Sequence, residues 1–144
     1  MKNDIKIAGD ITFSQLNPHN FSLKNDYINN LFTTALMIIP RLYQHLNENI
    51  ELIKGFVSKQ YITDNYTEMD KHVYKHGEGL GLEFKLPDNK ERLLISLRQL
   101  LNDIEEPLEI RINLINETFS CFRDVRESAI FEISSAGERV IYKA

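Results

Sequence analysis

The sequence predicts an α+β domain, in which helices from the N-terminal part and the middle of the chain pack on a small, mainly antiparallel sheet. Two stretches carry apolar residues at three- and four-residue spacing, which is typical of helices with one buried face. Shorter stretches, most of them in the last third of the chain, alternate or run apolar as strands do. The 144 residues fit one domain, so we expect a single unit over residues 1–144.

The N-terminal part predicts a short extended segment, a loop and a long helix. Residues 5–13 alternate at their start, and LNPHNFS at 16–22 is a loop by its Asn-Pro and polar content. From about Leu23 a helical pattern runs to Leu46. Pro40 lies inside it, and because proline removes a backbone hydrogen bond, we expect it to kink or divide the helix.

The middle of the chain predicts two strands, an irregular segment and a second helix. Residues 50–58 form an apolar run that predicts a buried strand, and LGLEFKL at 80–86 alternates as a strand does. Residues 59–78 have little periodicity and predict a long irregular segment. A turn at 87–89 leads into the second helix, whose apolar positions are Leu93, Leu94, Leu97, Leu100, Leu101 and Ile104.

The last third of the chain predicts strands only. Pro107 closes the second helix, and the stretches EIRINLI, FSCFRDV, AIFEIS and RVIYKA follow. Gly137 indicates a turn between the last two strands. Helices followed by a run of strands are typical of the α+β class.

Composition and charge exclude several classes of protein. The formal net charge of −4 argues against a general nucleic-acid binder. Cys121 is the only cysteine, which excludes an internal disulfide and a cysteine-rich zinc module and predicts a small buried apolar residue. No apolar run approaches the roughly 20 residues that span a bilayer. The N-terminus, MKNDIKIAGD, lacks the apolar region of a signal peptide, so we expect a chain that is cytoplasmic as synthesised.

The stretch KHGEGLGLEF at residues 75–84 concentrates groups that can do chemistry. It holds His76 and Glu83, which are separated by seven positions and bridged by glycines. Imidazole and carboxylate are both ligands of zinc, so this spacing fits two arms of a metal site. It also fits a mobile hairpin with nothing bound, and the residues alone leave both interpretations open.

The order of the elements resembles the zinc D-Ala-D-Ala carboxypeptidase-like family (peptidase family M15) in its compact, phage-type form. ITFSQL at 11–16 is similar to the family's opening phrase, and the long helix with Pro40 is similar to its first helix. IELIKGFVSKQY at 50–61 resembles the strand that leads into the family's Ser-Gly-Tyr-Arg turn, and Asn65 stands near the asparagine that follows this turn. The resemblance implies the fold of these zinc peptidases, which the hedgehog-type domains share.

The central motif of that family has its counterpart in the glycine-rich stretch. The family pattern is His-x-x-Gly-x-Ala-x-Asp, in which His and Asp bind zinc, and this chain has His76-x-x-Gly79-x-Gly81-x-Glu83. IFEIS at 130–134 resembles the family's closing Trp-x-His-x-Ser strand. The spacing is kept, while the aspartate is replaced by a glutamate that is one methylene longer.

The zinc ligands implied by the resemblance depart from the family pattern. Glu132 stands where the family has the histidine of its closing strand, and His76 is the last histidine of the chain. If a metal site is retained, the resemblance implies zinc on His76, Glu83 and Glu132. One histidine and two carboxylates select a divalent cation less sharply than two histidines, and they leave the metal less electrophilic.

The substrate side of the family site also departs. The arginine that holds the substrate carboxylate is replaced by Tyr61, so the resemblance implies a former substrate pocket of Ser58, Tyr61 and Asn65. The family's general base is an acid shortly before the last ligand, and here Glu127 is near but out of register. Loss of a guanidinium fork removes a bidentate clamp for a terminal carboxylate.

These departures lead us to expect a non-catalytic member of the family that acts as a binding or structural module without a cofactor. Family members commonly act on peptidoglycan peptides, and many accompany phage tails or phage-derived injection machines. The expected partners are therefore proteins of such an assembly, or a peptidoglycan peptide. Two alternatives stay open: a zinc-dependent D-Ala-D-Ala carboxypeptidase that uses His76, Glu83 and Glu132, and a small inhibitor or immunity-type interaction protein.

Overall fold

Two long helices pack on one face of a six-stranded sheet in the computed structural model, which describes residues 5–46, 50–65 and 73–143. The helices are α1 (Asn25–Leu46), α2 (Lys59–Asn65) and α3 (Lys90–Asp103), with shorter 3-10 helices at Phe13–Leu16 and Val73–Glu78. The strands are β1 (Lys6–Ala8), β2 (Ile11–Thr12), β3 (Leu52–Lys54), β4 (Gly81–Lys85), β5 (Glu109–Asn113), β6 (Thr118–Phe122), β7 (Ala129–Ser134) and β8 (Gly137–Lys143). The predicted α+β class is confirmed.

The order of strands in the large sheet is β3-β4-β6-β5-β7-β8, and β1 pairs with β2 separately. Neighbouring strands are antiparallel except β5 and β7, which are parallel, so the sheet is mainly antiparallel as predicted. Strand β6 forms a hairpin with β5 and pairs with β4 on its other side. Two strands therefore separate β4 from β7.

The core lies between the helices and one face of the sheet. In the central strands, every second side chain points to this face. In β4, Leu82 and Phe84 are fully buried on this face, and the ring of Phe84 stacks on that of Phe119 at 5.1 Å. Cys121 shares the face and is fully buried, as predicted. We call the opposite face of the sheet, which carries Glu83, the outer face.

Helix α1 is continuous through Pro40, so of the two expected effects, a kink or a division, the division does not occur. The helix holds because its apolar face is buried on both sides of the proline, with Ile38 and Leu42 fully buried. In the same turn the Arg41 side chain donates a hydrogen bond to the carbonyl oxygen of Met37 at 2.7 Å. Burial of a continuous stripe therefore outweighs one missing backbone donor.

The segment after β3 is more ordered than the sequence indicates. The predicted strand at 50–58 is shorter, because regular pairing covers only β3, and the predicted irregular segment begins with α2. The hydroxyl of Ser58 accepts a hydrogen bond from the backbone N–H of Tyr61 at 3.1 Å, which caps the start of α2. Residues 66–72 of the predicted irregular segment lie outside the described residues, and Val73–Glu78 is a 3-10 helix.

Helix α3 agrees with its prediction and has a capped start. The side chain of Asn89 accepts a hydrogen bond from the backbone N–H of Arg92 at 3.0 Å, as an N-cap residue does. The last predicted turn is also confirmed, since Gly137 opens β8 with φ of +114° after the hairpin turn. Within the described ranges, no helix has the length and apolar character needed to cross a membrane.

Candidate functional site

His76 is a buried residue that holds two parts of the chain together. Its side chain lies in the second 3-10 helix and is 2% exposed, with Nδ1 at 2.8 Å from the carbonyl oxygen of Gly55. Its ring also meets the ring of Phe122 edge-on, with centroids 5.4 Å apart. Burial lowers the pKa of His76 to about 4, and the positive charge of Lys54 acts in the same direction. The imidazole is therefore neutral at pH 7.

Glu83 lies on β4 and points to the outer face, with an ion pair to the neighbouring strand. Its Oε2 atom is 3.7 Å from Nζ of Lys54, and both side chains are largely shielded from solvent. Burial raises the pKa of Glu83, and the Lys54 ammonium opposes this shift without cancelling it. The carboxylate is thus held by a fixed cation in the same sheet.

Glu132 does not lie beside Glu83. In the sheet, Glu83 pairs with Ser120, and the row continues across the next strands to Arg111 and Phe131. Glu132 follows Phe131 on β7, so its side chain points to the opposite face of the sheet. Three strand spacings separate the two strands, which is about 14 Å. Glu132 is engaged by Arg139, whose Nη2 donates to its Oε1 at 2.8 Å.

The three predicted ligands therefore do not fit one zinc ion. Zinc–ligand bonds of about 2.0–2.2 Å require the donor atoms to converge within a few ångströms. His76 and Glu83 lie on the outer-face side of the sheet, whereas Glu132 points away from it. In residues 5–46, 50–65 and 73–143, no group of three or more His, Cys, Asp or Glu side chains is placed to hold a metal ion.

The residues predicted as a former substrate pocket make contacts local to α2. Ser58 caps this helix, and the Asn65 side chain donates back to the carbonyl oxygen of Tyr61 at 2.9 Å. The Tyr61 ring packs on His19, with centroids 4.7 Å apart, and on Phe21 at 5.8 Å. Tyr61 and Asn65 thus lie in one short helix that Ser58 caps, and the contacts of Ser58 and Asn65 shown here stabilise that helix.

The glycines of the motif are explained by close packing. A Cβ at Gly79 would lie 2.6 Å from the carbonyl oxygen of Tyr27 in α1, and its φ of +76° disfavours other residues. A Cβ at Gly81 would lie 2.6 Å from the ring of Phe122. The glycine pattern that resembles a zinc motif thus also allows the chain at Gly79 to approach α1 and the Phe122 ring to lie against Gly81.

Arg123 is the main organising residue that the sequence interpretation missed. Its guanidinium donates to both carboxylate oxygens of Glu106, at 2.6 and 3.0 Å, and its Nη1 also lies 3.2 Å from the Thr34 hydroxyl. Lys75 completes the junction, because its Nζ donates to the carbonyl oxygens of Arg123 and Asp124, both at 2.8 Å. The stretch FSCFRDV was predicted as one strand, but β6 ends at Phe122. In the sequence, only the change to charged residues at Arg123 indicates this end.

Two clefts lie on either side of the loop between β6 and β7, and Asp124 and Val125 form the wall they share. The first has a volume of about 460 Å³, and its other lining residues are Asn30, Glu78, Leu80, Glu106 and Arg123. The second has a volume of about 400 Å³, and its other lining residues are Lys75, Glu109, Arg126, Glu127, Ala129 and Phe131. Both clefts therefore present charges of both signs, and the second also presents an aromatic side chain.

Comparison with known proteins adds no relative. No protein-family model, no curated protein and no solved structure matches the chain at a significant level.

Proposed function

We propose that the chain is a non-catalytic binding or structural module, related in fold to the zinc D-Ala-D-Ala carboxypeptidase-like family. The observation that carries the proposal is the placement of Glu83 and Glu132 on opposite faces of the sheet, three strands apart. A hydrolytic zinc site needs three protein ligands around one ion with an open position for water. The positions that the resemblance assigns to zinc do not provide that arrangement.

The contacts of the remaining residues support the same proposal. The neutral, buried ring of His76 forms a hydrogen bond with the carbonyl oxygen of Gly55, and Ser58 caps α2. These are contacts that stabilise a fold. In such a chain, the positions that would be catalytic in the family stabilise the fold, and the surface is available to bind a partner.

The clefts beside the β6–β7 loop are the surface where we place a polar ligand. The anchoring of Arg123 by Glu106 fixes the loop, and a fixed loop keeps Asp124 and Arg126 in defined positions. A peptidoglycan peptide carries amino and carboxylate groups, which a cleft of mixed charge can pair. A protein of a phage-tail-like or injection assembly is the other partner class that the resemblance favours.

A zinc peptidase stays the second candidate because two of its three predicted ligands are neighbours. Gly81 and Glu83 share the outer face, and the ring of His76 lies 3.4 Å from the position that a Cβ of Gly81 would take. In that case the third ligand has to be a residue other than Glu132. A water molecule bound to the zinc ion would then supply the nucleophile, as in other zinc hydrolases.

One experiment separates the two candidates. The purified chain is incubated with zinc and a peptide that ends in D-Ala-D-Ala, and released D-alanine is measured by chromatography. In parallel, the chain is sedimented with purified peptidoglycan. We expect no D-alanine release, together with saturable binding to peptidoglycan that Arg126→Glu weakens. Zinc-dependent release of D-alanine would contradict the proposal, and absence of sedimentation would leave a protein partner as the remaining class.

A further inference from the structure

A groove of about 370 Å³ runs beside β3, which is an edge strand of the large sheet. Ile50, Leu52 and Ile53 line it on the strand side, and Ile11 and Pro18 line it on the side of the N-terminal residues. It shares no lining residue with the two clefts beside the β6–β7 loop. None of the residues predicted for the zinc site or the former substrate pocket lines it.

The backbone of β3 has an open side toward this groove. The N–H of Lys85 in β4 donates to the carbonyl oxygen of Glu51 at 2.9 Å. Because backbone groups alternate along an antiparallel strand, the N–H and C=O of Leu52 point away from β4. Those two groups have no hydrogen bond to any residue in the described ranges.

The groove is closed at one end by a tight backbone contact. The N–H of Phe56 donates to the carbonyl oxygen of Leu16 at 2.6 Å, so the chain after β3 is already paired. A Cβ at Gly55 would lie 2.6 Å from the same oxygen, which shows how closely the two segments approach. The open side of the strand therefore ends before Phe56.

The side chains of the groove form an apolar floor and an exposed apolar wall. Ile11 and Ile50 are 3% and 7% exposed, and Leu52 is half-buried. Ile53, in contrast, is 40% exposed on the same edge strand. An extended segment beside β3 would cover these apolar side chains at alternate positions.

The charges of the groove have one sign. Asp10 and Glu51 are its charged lining residues, and neither has an ion pair with a residue of the described ranges. Both side chains are exposed. A partner that carries lysine or arginine is complementary to this pair of carboxylates.

We propose that this groove takes up an extended segment of a partner protein, which adds a strand to β3 and carries apolar side chains at alternate positions with a basic residue at its end. Hydrogen bonds to the open backbone of Leu52 supply affinity, while the apolar floor and the two carboxylates supply selectivity. The inference rests on the proposed binding role and names the chemistry of one partner.

The test uses synthetic peptides and the full chain. The probe is a fluorescein-labelled Lys-Ile-Thr-Val-Thr-Ile-Lys peptide, compared by fluorescence anisotropy with a Glu-flanked version and a version N-methylated at alternate residues. We expect saturable binding of the first peptide and about tenfold weaker binding of the other two, since one lost hydrogen bond or ion pair accounts for that factor. Equal binding of the three peptides, or no saturable binding, overturns the proposal.

Two matched variants locate the bound strand. Leu52→Pro removes the outward N–H of β3, and Val140→Pro changes β8, the strand at the other edge of the sheet. We expect about tenfold weaker binding for the first variant and unchanged binding for the second, with circular dichroism as the control for folding. Weakening by Val140→Pro alone overturns the assignment to β3. Glu51→Lys tests the charge independently of the backbone and is expected to reverse the preference between the Lys- and Glu-flanked peptides.

Failure of this inference is distinguishable from failure of the proposed function. Zinc-dependent release of D-alanine would overturn the non-catalytic role whatever the peptide data show. A chain that binds peptidoglycan or a protein but none of the strand peptides would keep the proposed role and lose the groove.

Discussion

The Nδ1 atom of His76 lies 2.8 Å from the carbonyl oxygen of Gly55, and this hydrogen bond joins the second 3-10 helix to the chain just after β3. A carbonyl oxygen only accepts, so Nδ1 carries the proton of the neutral ring. The ring is almost completely buried, and protonation would place a charge in an apolar site next to Lys54. His76 thus stabilises the fold in its neutral form.

The free energy of unfolding is therefore expected to decrease as the pH is lowered from about 6.5 to about 4. The pKa of His76 is about 4 in the folded chain and near 6.5 when exposed, so the unfolded chain binds the proton more readily. The stabilisation is complete above about pH 6.5 and is lost as pH falls toward 4, with a total of about 3 kcal/mol. Urea unfolding at several pH values measures this change in the free energy of unfolding.

The matched control for this measurement is His76→Gln, which keeps a polar side chain and does not titrate. Glu83, whose pKa is raised by burial, acts in the opposite direction but is present in both proteins. Wild type is expected to lose more stability than the variant between pH 7 and pH 4. Parallel curves for the two proteins would show that His76 titrates normally.

Gly79→Ala is expected to destabilise the chain strongly. The added Cβ would lie 2.6 Å from the carbonyl oxygen of Tyr27 and 2.8 Å from the backbone nitrogen of Leu31, in a conformation with φ of +76°. Since neither backbone atom can move without distorting α1, we expect a loss of about 3 kcal/mol or more.

Gly137→Ala separates backbone strain from this steric clash. Gly137 also has a positive φ, +114°, but nothing lies within 4 Å of an added Cβ. We expect a loss of about 1–2 kcal/mol, from strain alone. Thermal and urea unfolding of both variants test the difference, and similar losses at the two positions would refute the close approach of Gly79 to α1.

Arg123→Met is expected to release the β6–β7 loop. The variant loses both hydrogen bonds to Glu106, and because Glu106 is partly exposed, we expect a cost of about 2 kcal/mol. The hydrogen bond from Arg123 lowers the pKa of Glu106, so NMR titration should show that pKa rising in the variant. Arg126→Met, on the same loop and exposed, should change stability by less than about 0.5 kcal/mol. An unchanged Glu106 titration would contradict the pairing.

Cys121 is expected to resist thiol reagents in the folded chain. Burial raises the pKa of its thiol to about 12, and the thiolate is the form that reacts. Labelling at pH 8 should therefore proceed only through unfolding, and it should become rapid in concentrated urea. Rapid labelling of the native protein would indicate that the core around β6 opens.

Much of the fold could be predicted because its signals are local. The apolar stripes of α1 and α3 and the alternation in β4 identify these elements without knowledge of their neighbours. Helix α2 was missed although Ser58 carries a capping signal, because a seven-residue helix has too few apolar positions to show periodicity.

The candidate site could not be predicted because it depends on strand order. The resemblance assigns Glu83 and Glu132 as two ligands of one ion, but β6 and β5 lie between the strands that carry them. The side on which a residue points follows from the register of three strand pairs. The junction of Arg123 with Glu106 and Thr34 likewise joins segments that are distant in sequence.

Zinc titration by calorimetry tests the central claim most directly. The titration compares the metal-free wild-type chain with His76→Ala and Glu132→Ala. Because the predicted ligands do not converge, we expect no stoichiometric zinc binding at micromolar affinity in any of the three proteins. One zinc per chain at micromolar or better affinity, lost in both variants, would show that these side chains meet around an ion and would contradict the non-catalytic role.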